Sequence, residues 1–374
     1  MTPTGPRYRV LHVILDLEYG GMQRVLVELL RQLDGDRFEP WVIVLNDAVP
    51  SAIKALEGIP VRFARPLPRT SMLWPRKLSA MIREVRPTVV HAHSGAWYKA
   101  ALASRLAGVP SVVYTDHGRP LPDPVAGRFV DHLASRMTRA VIPVSDTVRE
   151  ALAHFVHRPD GMAVILNGVD CDVFADRAVD SSERATLGVP STGLLLGSVG
   201  RLEEVKGYDV MIDAMAELTR RDLGPELPTL VIVGDGNCGD ALRSRAAALG
   251  LGDRVRFFGF RDDIPDLLAA FDVFTLSSRS EGTSMSLLEG MASGTCPIVT
   301  NVGGNPVVLG PGLAHRLVPP DDVTALADAW HVALADVGTL RSDGAKARSR
   351  VLAEFSLESM VRQYENLYSS LVGH

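Results

Sequence analysis

Short apolar runs alternate with longer amphipathic patterns along almost the whole chain, and this alternation restricts the fold more than any other feature. Strands that alternate with helices predict a parallel sheet with helices on both faces. The predicted strands of the first half are Val10–Leu15, Trp41–Leu45, Val61–Ala64, Val89–Ala92, Ser111–Thr115, Val141–Val144 and Ala163–Leu166. The pattern restarts in the second half with Leu194–Ser198, Thr229–Val233, Val255–Phe258, Val273–Leu276 and Pro297–Thr300.

The restart predicts two domains, which the length of 374 residues accommodates. A polar stretch from Asp176 to Pro190 separates the two series of strands and is predicted to be a linker. We therefore expect α/β domains over residues 1–180 and 190–354, each a Rossmann-like, doubly wound parallel sheet, facing each other across a cleft. Residues 355–374 carry apolar side chains at helical spacing, which predicts a C-terminal helix that docks on another surface.

Composition excludes several classes of function. The formal net charge of −5 argues against non-specific binding to nucleic acid. The apolar run near the start is too short for a signal peptide, and no run approaches the roughly 20 apolar residues that span a bilayer. We expect a soluble, cytoplasmic protein. Cys171, Cys238 and Cys296 are scattered, so they predict neither a disulfide framework nor a zinc site.

Two carboxylates, Glu281 and Glu289, lie eight residues apart after the predicted strand Val273–Leu276. A helix is predicted from about Ser284, and the free N–H groups at its start attract phosphate. Eight residues of helix rise about 12 Å, so the two carboxylates can bracket a ligand as long as a diphosphate. The alternative is that both are ordinary solvated glutamates.

Two cations, Arg201 and Lys206, follow the first predicted strand of the second half. Ligands of open α/β sheets bind at the carboxyl ends of the strands, where this loop lies. A guanidinium and an ammonium group there suit a diphosphate, although an ordinary surface loop would also contain such residues.

These motifs, in this order, resemble those of the family-4 retaining glycosyltransferases, which have the GT-B fold. The resemblance extends over almost the whole chain and is strongest from Gly197 to Gly304. It implies that Glu281 contacts hydroxyls of a donor sugar and that Glu289 contacts the nucleotide ribose. It also implies that Arg201 and Lys206 stabilise the leaving diphosphate, and that the last helix crosses back to the N-terminal domain.

The resemblance assigns further residues to the donor site. Gly20 and Gly21 match a glycine-rich loop that approaches phosphate, although a glycine pair can also be a plain turn. The absence of a G-x-G-x-x-G frame argues against a nicotinamide site. His117 matches a histidine near the donor sugar, with a satisfied loop histidine as the alternative. The full set of implied donor-binding residues is Gly20, Gly21, Gly236, Phe260, Arg261, Thr283, Ser284, Met285 and Glu289.

Two motifs raise the question of a metal. His91 and His93 lie on one face of a predicted strand, which is half of a metal site, but the sequence shows no third ligand nearby. A role in a loop or near the acceptor is the alternative. Asp170-Cys171-Asp172 matches the D-x-D motif of a different glycosyltransferase fold. The family resemblance instead implies a structural hinge at this position, and we expect neither a metal nor another cofactor.

The sequence thus predicts a retaining glycosyltransferase that transfers a sugar from a nucleotide-diphosphate donor, with UDP-sugars favoured and GDP-mannose next. The predicted acceptor is a hydroxyl of a glycan, a lipid-linked sugar or a small molecule. His117, Arg201, Lys206 and Glu281 are the expected catalytic residues. A nucleotide-sugar epimerase of the same fold and a catalytically silent scaffold remain alternatives. The basic, partly apolar stretch from Trp74 to Arg86 is either a membrane-surface contact or a solvated helix face.

Overall fold

The computed structural model describes residues 7–17, 20–65, 67, 69–118, 125–157, 161–174, 177–221 and 227–372. The chain divides into two compact units, residues 1–168 together with 357–374, and residues 169–356. Each unit is built on its own six-stranded parallel sheet. None of the described helices is long and apolar enough to cross a membrane.

The sheet of the first unit has the strand order β3-β2-β1-β4-β5-β6. Its strands are β1 (Tyr8–Ile14), β2 (Phe38–Val44), β3 (Val61–Phe63), β4 (Val89–His93), β5 (Val112–Asp116) and β6 (Ala140–Pro143). The helices of this unit are α1 (Gly21–Gln32), α2 (Pro50–Ala55), α3 (Arg76–Val85), α4 (Trp97–Ala107), α5 (Val125–Ser135), α6 (Asp146–Ala153) and α15 (Leu357–Val372). The strand order reverses between β1 and β4, as in doubly wound nucleotide-binding folds.

The second sheet repeats this topology in the order β12-β11-β10-β7-β8-β9. Its strands are β7 (Leu195–Val199), β8 (Thr229–Val233), β9 (Val255–Phe257), β10 (Val273–Leu276), β11 (Cys296–Thr300) and β12 (Leu317–Val318). The helices of this unit are α7 (Ser181–Leu187), α8 (Tyr208–Leu218), α9 (Gly239–Ala248), α10 (Ile264–Ala270), α11 (Met285–Ala292), α12 (Asn305–Leu309), α13 (Val323–Leu334) and α14 (Val337–Glu354). Here the order reverses between β7 and β10.

Two predictions about local structure were wrong. Ala163–Leu166 forms no strand: Ile165 is buried and donates one backbone hydrogen bond to Pro143 beyond the edge of the sheet, but no ladder follows. The polar stretch predicted as a linker contains α7, which begins at a capping box formed by Asp180 and Glu183. Arg184 then donates to the backbone oxygens of Gly193 and Ala270, which fixes α7 to the second unit. Asp176, the first residue of that stretch, lies outside the described residues.

Helix α15 belongs to the first unit although it ends the chain. Met360, Val361, Tyr364 and Tyr368 are buried, as their helical spacing predicts. The helix is also held by polar contacts, because Glu365 accepts a hydrogen bond from the backbone N–H of Asp34 at 2.7 Å. The hydroxyls of Tyr364 and Tyr368 thereby reach Thr115 and His91 of the first sheet.

A glycine in the middle of α11 is explained by close packing. A Cβ atom at Gly290 would lie 2.6 Å from a ring carbon of Phe274 on β10. Glycine costs a helix about 0.5–1 kcal/mol relative to alanine. The close approach of α11 to β10 requires it, and this brings the start of the helix to the carboxyl end of the strand.

Candidate active site

The loops after β7 and β10 lie side by side because these strands are neighbours in the second sheet. Ser277, just after β10, donates its hydroxyl to the backbone oxygen of Gly207 at 2.8 Å. Gly207 has a φ of +62°, and a Cβ atom there would lie 2.2 Å from the backbone oxygen of Ser277. The two loops therefore form one surface at the point where the strand order reverses, which is where open α/β sheets bind ligands.

A charged pair lies on this surface. Lys206 Nζ donates to Glu281 Oε1 at 2.7 Å, and the hydroxyl of Ser278 donates to the same oxygen at 2.6 Å. The Lys206 side chain is 20% exposed and that of Glu281 is 7% exposed. Partial removal from water strengthens a charge-assisted hydrogen bond, so the pair holds both side chains in fixed positions.

Arg201 is placed differently from Lys206. Its guanidinium pairs with Glu203 at 2.8 Å, and its side chain is 58% exposed. Exposed ion pairs contribute little free energy, about 0–1 kcal/mol. A phosphate group can therefore displace Glu203 from Arg201 at small cost. Lys206 is therefore held in a fixed position between the two loops, whereas Arg201 lies exposed beside them.

Arg279 supports this arrangement, although no sequence motif identifies it. It donates to Asp209 Oδ2 at 2.7 Å, to Asp321 Oδ1 at 2.7 Å and to the backbone oxygen of Glu204 at 2.6 Å. The hydrogen bond to Asp209 is the main cause that raises the pKa of Arg279 above its ordinary value. Arg279 thus connects the loop that carries Lys206 to the end of β10. Its acceptors lie 42 to 75 residues away in the chain, so sequence spacing gives no signal of this role.

Glu289 is 3% exposed, so it is not a solvated residue on a helix surface. That alternative is wrong for both carboxylates, because Glu281 is also largely buried. Helix α11 begins directly after Ser284, whose hydroxyl accepts a hydrogen bond from the N–H of Leu287. Thr283 and Met285 beside it are buried as well. The predicted donor residues of this segment therefore form a packed structure at the carboxyl end of β10.

The loop after β11 packs directly on the backbone that carries Glu281. A Cβ atom at Gly303 would lie 1.8 Å from the backbone oxygen of Glu281, and one at Gly304 would lie 2.4 Å from that of Gly282. The N–H of Gly304 donates to the same Gly282 oxygen at 2.9 Å. Both glycines are therefore required for the position of Glu281.

Replacement of Gly303 by alanine is expected to displace Glu281 and to reduce activity at this site about 100-fold, because misplacement of about 1 Å has that cost. Gly250→Ala is the matched control: its φ of +70° imposes similar backbone strain, but no atom lies within 4 Å of the new Cβ. Thermal unfolding and turnover of both variants are compared. Equal turnover in the two variants would contradict the role assigned to the contact.

The loops that carry Gly236, Phe260 and Arg261, which the family resemblance assigns to the donor site, also meet at this edge. A Cβ atom at Gly236 would lie 2.6 Å from the backbone oxygen of Leu202, so this loop packs closely on the loop after β7. Phe260 is 54% exposed. The Arg261 guanidinium donates to Asp263 and lies over the Phe258 ring, 5.5 Å from its centroid. The Arg261 side chain is thus held by contacts within the protein.

In the first unit, the corresponding reversal of strand order lies between β1 and β4. Gly21 is the first residue of α1 and Gly20 precedes it, so the glycine pair lies at the start of a helix of twelve residues. His117 directly follows β5, where its backbone N–H donates to the Ser94 hydroxyl at 3.0 Å. Gly20, Gly21 and His117 therefore all lie at the carboxyl edge of the first sheet.

A cluster of buried histidines lies next to His117 in the first unit. His12, His91 and His93 have nitrogen atoms within 4.8 Å of one another, so the prediction that no third imidazole is nearby was wrong. His12 comes from β1, pairs with His91 in register, and lies 79 residues or more away in sequence. Sequence spacing alone could not show this contact, although the predicted sheet makes β1 and β4 neighbours.

These histidines are neutral at physiological pH because burial disfavours the charged form. Burial lowers the pKa of His12 to about 3 and that of His117 to about 4. It also lowers the pKa values of His91 and His93 well below the ordinary value of 6.5. The cluster is therefore a neutral polar network within the core of the first unit.

Hydrogen bonds account for the ring nitrogens of His91, the central member of the three. Its Nδ1 lies 2.7 Å from the hydroxyl of Tyr368, and its Nε2 lies 2.8 Å from that of Thr115. Thr115 in turn contacts the Tyr364 hydroxyl at 3.0 Å. Since both nitrogens of His91 are used in this way, we interpret the cluster as a hydrogen-bond network and not as a metal centre.

Two family models match the two halves of the chain. Residues 19–173 match the model described as Glycosyltransferase Family 4, and residues 179–350 match the model described as Glycosyl transferases group 1. The chain belongs to the family-4 glycosyltransferases. Membership agrees with the paired Rossmann-type topologies and establishes that the protein is an enzyme of the glycosyltransferase class.

Relatives of known function cover almost the full length of this family-4 chain. A galactosyltransferase of Escherichia coli, UDP-Gal:alpha-D-GlcNAc-diphosphoundecaprenol alpha-1,3-galactosyltransferase, is 26% identical and covers 100% of this chain and 99% of its own length. The 2-deoxystreptamine N-acetyl-D-glucosaminyltransferase of Streptomyces fradiae is 29% identical, with coverage of 95% and 91%. These two relatives use very different acceptors.

Solved structures show the same fold. Anabaena HepE in complex with UDP and glucose superimposes with a TM-score of 0.84 at 25% identity, covering 97% of this chain and 100% of its own. WaaG, a glycosyltransferase involved in lipopolysaccharide biosynthesis, superimposes with a TM-score of 0.70 at 17% identity and coverage of 98% and 100%. The fold of this family-4 glycosyltransferase is therefore GT-B.

Proposed function

We propose that this enzyme is a retaining glycosyltransferase that uses a UDP-sugar as donor and binds it at the carboxyl edge of the second sheet. The Lys206–Glu281 ion pair is the main support for this proposal. It places a fixed ammonium group and a fixed carboxylate side by side at the reversal of strand order. A sugar diphosphate needs this combination, a cation for the phosphates and an acceptor for sugar hydroxyls.

In the proposed reaction, the bond between the anomeric carbon and the diphosphate oxygen breaks while the acceptor oxygen bonds to the same face of that carbon. The proton of the acceptor hydroxyl passes to the departing phosphate oxygen. Lys206 and Arg201 stabilise the charge that develops on the diphosphate, and Glu281 and His117 orient the sugar. Glu289 holds the ribose. Because these cations and the start of α11 supply the electrostatic stabilisation, the proposed reaction requires no bound metal.

The choice of donor and acceptor rests on the relatives. The Escherichia coli relative is named for UDP-galactose, and the HepE structure contains UDP. We therefore favour UDP-sugars over GDP-mannose. The same relative is named for a diphosphoundecaprenol-linked sugar, and the Streptomyces relative for a small aminocyclitol. The acceptor classes proposed here are accordingly a lipid-linked sugar and a small-molecule glycan precursor.

A transfer assay tests this function and separates it from epimerisation. UDP-galactose, UDP-glucose, UDP-N-acetylglucosamine and GDP-mannose are each incubated with the enzyme in the presence of a chelator. The acceptors are 2-deoxystreptamine and N-acetylglucosamine linked to a lipid diphosphate. We expect UDP release that an acceptor accelerates, with an α-linked product. Conversion of one UDP-sugar into another without an acceptor would indicate an epimerase and contradict the proposal.

An exposed apolar site on the first unit favours a peripheral contact with a membrane. Leu73 is 80% exposed and Trp74 is 52% exposed, and the Arg76 guanidinium lies 5.8 Å from the centre of the Trp74 ring. Farther along α3, Met81 packs against the core and Arg83 donates to the backbone oxygen of Leu106. The proposed contact is thus confined to the start of the stretch, where apolar side chains lie beside basic residues.

Replacement of Leu73 and Trp74 together by serine is expected to weaken binding to anionic vesicles at least 10-fold. Burying a large apolar side chain contributes about 1.5–3 kcal/mol, and each change removes one such group. Cosedimentation with phosphatidylglycerol and phosphatidylcholine vesicles measures the effect. Val332→Ser, which removes another exposed apolar side chain (68% exposed) in the second unit, is the control. Unchanged binding by the double variant would exclude this surface as the contact.

A further inference from the structure

Three imidazoles of the first unit form a continuous chain that ends at His117. His12 Nδ1 lies 3.1 Å from His93 Nε2, and His93 Nδ1 lies 3.0 Å from His117 Nε2. The ring centroids are 5.4 Å and 5.3 Å apart along the chain. The chain therefore runs from the middle of β1, through the end of β4, to the residue that follows β5.

The number of protons in this chain limits its possible states. A neutral imidazole has one N–H donor and one lone pair. Three neutral rings have three protons, and the two hydrogen bonds between them use two. The third proton must lie at one end, on His12 Nε2 or on His117 Nδ1. Both atoms are shielded from solvent, and neither has a hydrogen-bond partner among the described residues.

The surroundings of the two ends decide which nitrogen carries the third proton. His12 is fully buried, in contact with the rings of His91 and Tyr368. An N–H group enclosed there without an acceptor is costly, because it has lost its hydrogen bond to water without replacing it. His117 lies at the carboxyl edge of the first sheet and is only partly buried as a residue. In the proposed function the donor sugar lies beside His117, so one of its hydroxyls is available as the acceptor for an Nδ1 proton, whereas no ligand is proposed beside His12.

We propose that His93 and His12 are positioning residues for sugar transfer, because they hold the His117 ring in one orientation with a proton on Nδ1. The N–H at this position donates to a hydroxyl of the donor sugar. His93 makes the direct contact by donating its Nδ1 proton to His117 Nε2, and His12 fixes this tautomer of His93 by donating its own Nδ1 proton to His93 Nε2. The inference rests on the proposed function, since it requires His117 to contact the donor.

His91 provides a matched control within the same cluster. It lies on the same strand as His93, is equally buried, and its ring centroid is 4.2 Å from that of His93. Its hydrogen bonds go to Tyr368 and Thr115 and not to the chain that ends at His117. Phenylalanine at either position removes two hydrogen bonds from the core, but only the change at 93 disconnects His117.

The test compares His93→Phe, His91→Phe and His117→Ala with the unmodified enzyme. Turnover is measured as release of UDP from UDP-galactose with water as the acceptor, and binding as the calorimetric affinity for UDP alone. We expect His93→Phe to lower turnover about 10- to 100-fold, with His117→Ala at least as severe. UDP affinity should stay within 2-fold of the unmodified value, since the proposed nucleotide contacts are in the second unit. His91→Phe should lower the melting temperature similarly and leave turnover within about 3-fold.

The outcomes separate the inference from the proposed function. Loss of turnover in His117→Ala with normal turnover in His93→Phe would overturn the inference alone. An equal loss in His91→Phe and His93→Phe would also overturn it, because the effect would then be a general disturbance of the core. Normal turnover in His117→Ala would overturn the role of His117 in the proposed function and the inference with it.

A spectroscopic measurement on the unmodified enzyme needs no variant at His93. Nitrogen-15 NMR of selectively labelled histidine distinguishes the two neutral tautomers, and the His117→Ala spectrum assigns the signals of His117. We expect one tautomer, with the proton on Nδ1. A proton on Nε2, or an equal mixture of both forms, would overturn the inference.

Discussion

Replacement of Lys206 by alanine is expected to reduce sugar transfer about 10²- to 10³-fold, the usual cost of removing one group that stabilises developing negative charge. The ammonium group lies 2.7 Å from Glu281, so the change removes the proposed phosphate contact and leaves the carboxylate without its cation. Steady-state transfer from a UDP-sugar measures the effect. A rate close to that of the unmodified enzyme would rule out the role of Lys206.

Loss of stability must be separated from loss of catalysis, because Glu281 is only 7% exposed. Removing one partner of a buried ion pair destabilises a protein, whereas removing both charges together is nearly neutral. We therefore expect the double variant Lys206→Met, Glu281→Gln to unfold at a higher temperature than Lys206→Ala and to remain equally inactive. Arg243→Ala, which removes the exposed ion pair with Asp240, should leave both properties unchanged. Transfer activity in the double variant would contradict this account.

Acid is expected to destabilise the first unit steeply between pH 6.5 and pH 4. His12, His91, His93 and His117 have lowered pKa values in the folded protein, about 3 for His12 and about 4 for His117, against an ordinary value of 6.5. Below pH 6.5 the unfolded chain binds protons that the folded protein does not, so stability falls with falling pH. Each histidine contributes at most about 1.4 kcal/mol per pH unit, so the four together contribute at most about 6 kcal/mol per unit.

Urea unfolding at pH 7, 6 and 5 measures this dependence. The His91→Phe variant removes one of the four titrating groups, so its free energy of unfolding should fall less steeply, by at most about 1.4 kcal/mol per pH unit. Comparing slopes instead of absolute stabilities cancels the pH-independent cost of the substitution itself. Identical slopes for the two proteins would show that His91 is not a neutral buried residue.

Most of the fold could be predicted from the sequence because its elements are strongly patterned. The strands of a doubly wound sheet are short, continuous apolar runs, and Thr229–Val233 and Val273–Leu276 were predicted to the residue. The failures have local causes. Ala163–Leu166 is apolar, but only Ile165 is buried, and the segment lies beyond the edge strand, where only one backbone hydrogen bond forms. Helix α7 is short and polar, so its capping box indicates the helix better than its hydrophobic pattern does.

In the candidate site, too, residues that belong to local motifs were predicted, and residues whose partners lie far away in the chain were not. Glu281, Lys206 and His117 follow predicted strands, and the sheet topology brings Lys206 and Glu281 together. Arg279 and His12 were missed because their roles depend on partners far away in the chain. Gly303 lies within the segment of strongest family resemblance, from Gly197 to Gly304. Its physical reason, contact with the backbone of Glu281, requires three-dimensional structure.

The proposed donor site can be tested by calorimetric titration of the purified enzyme with UDP and with GDP in the presence of a chelator. We expect micromolar affinity for UDP without metal, weaker binding of GDP, and loss of UDP affinity in Lys206→Ala. Absence of UDP binding by the folded enzyme, or UDP affinity that is unchanged in Lys206→Ala, would contradict the proposed donor site.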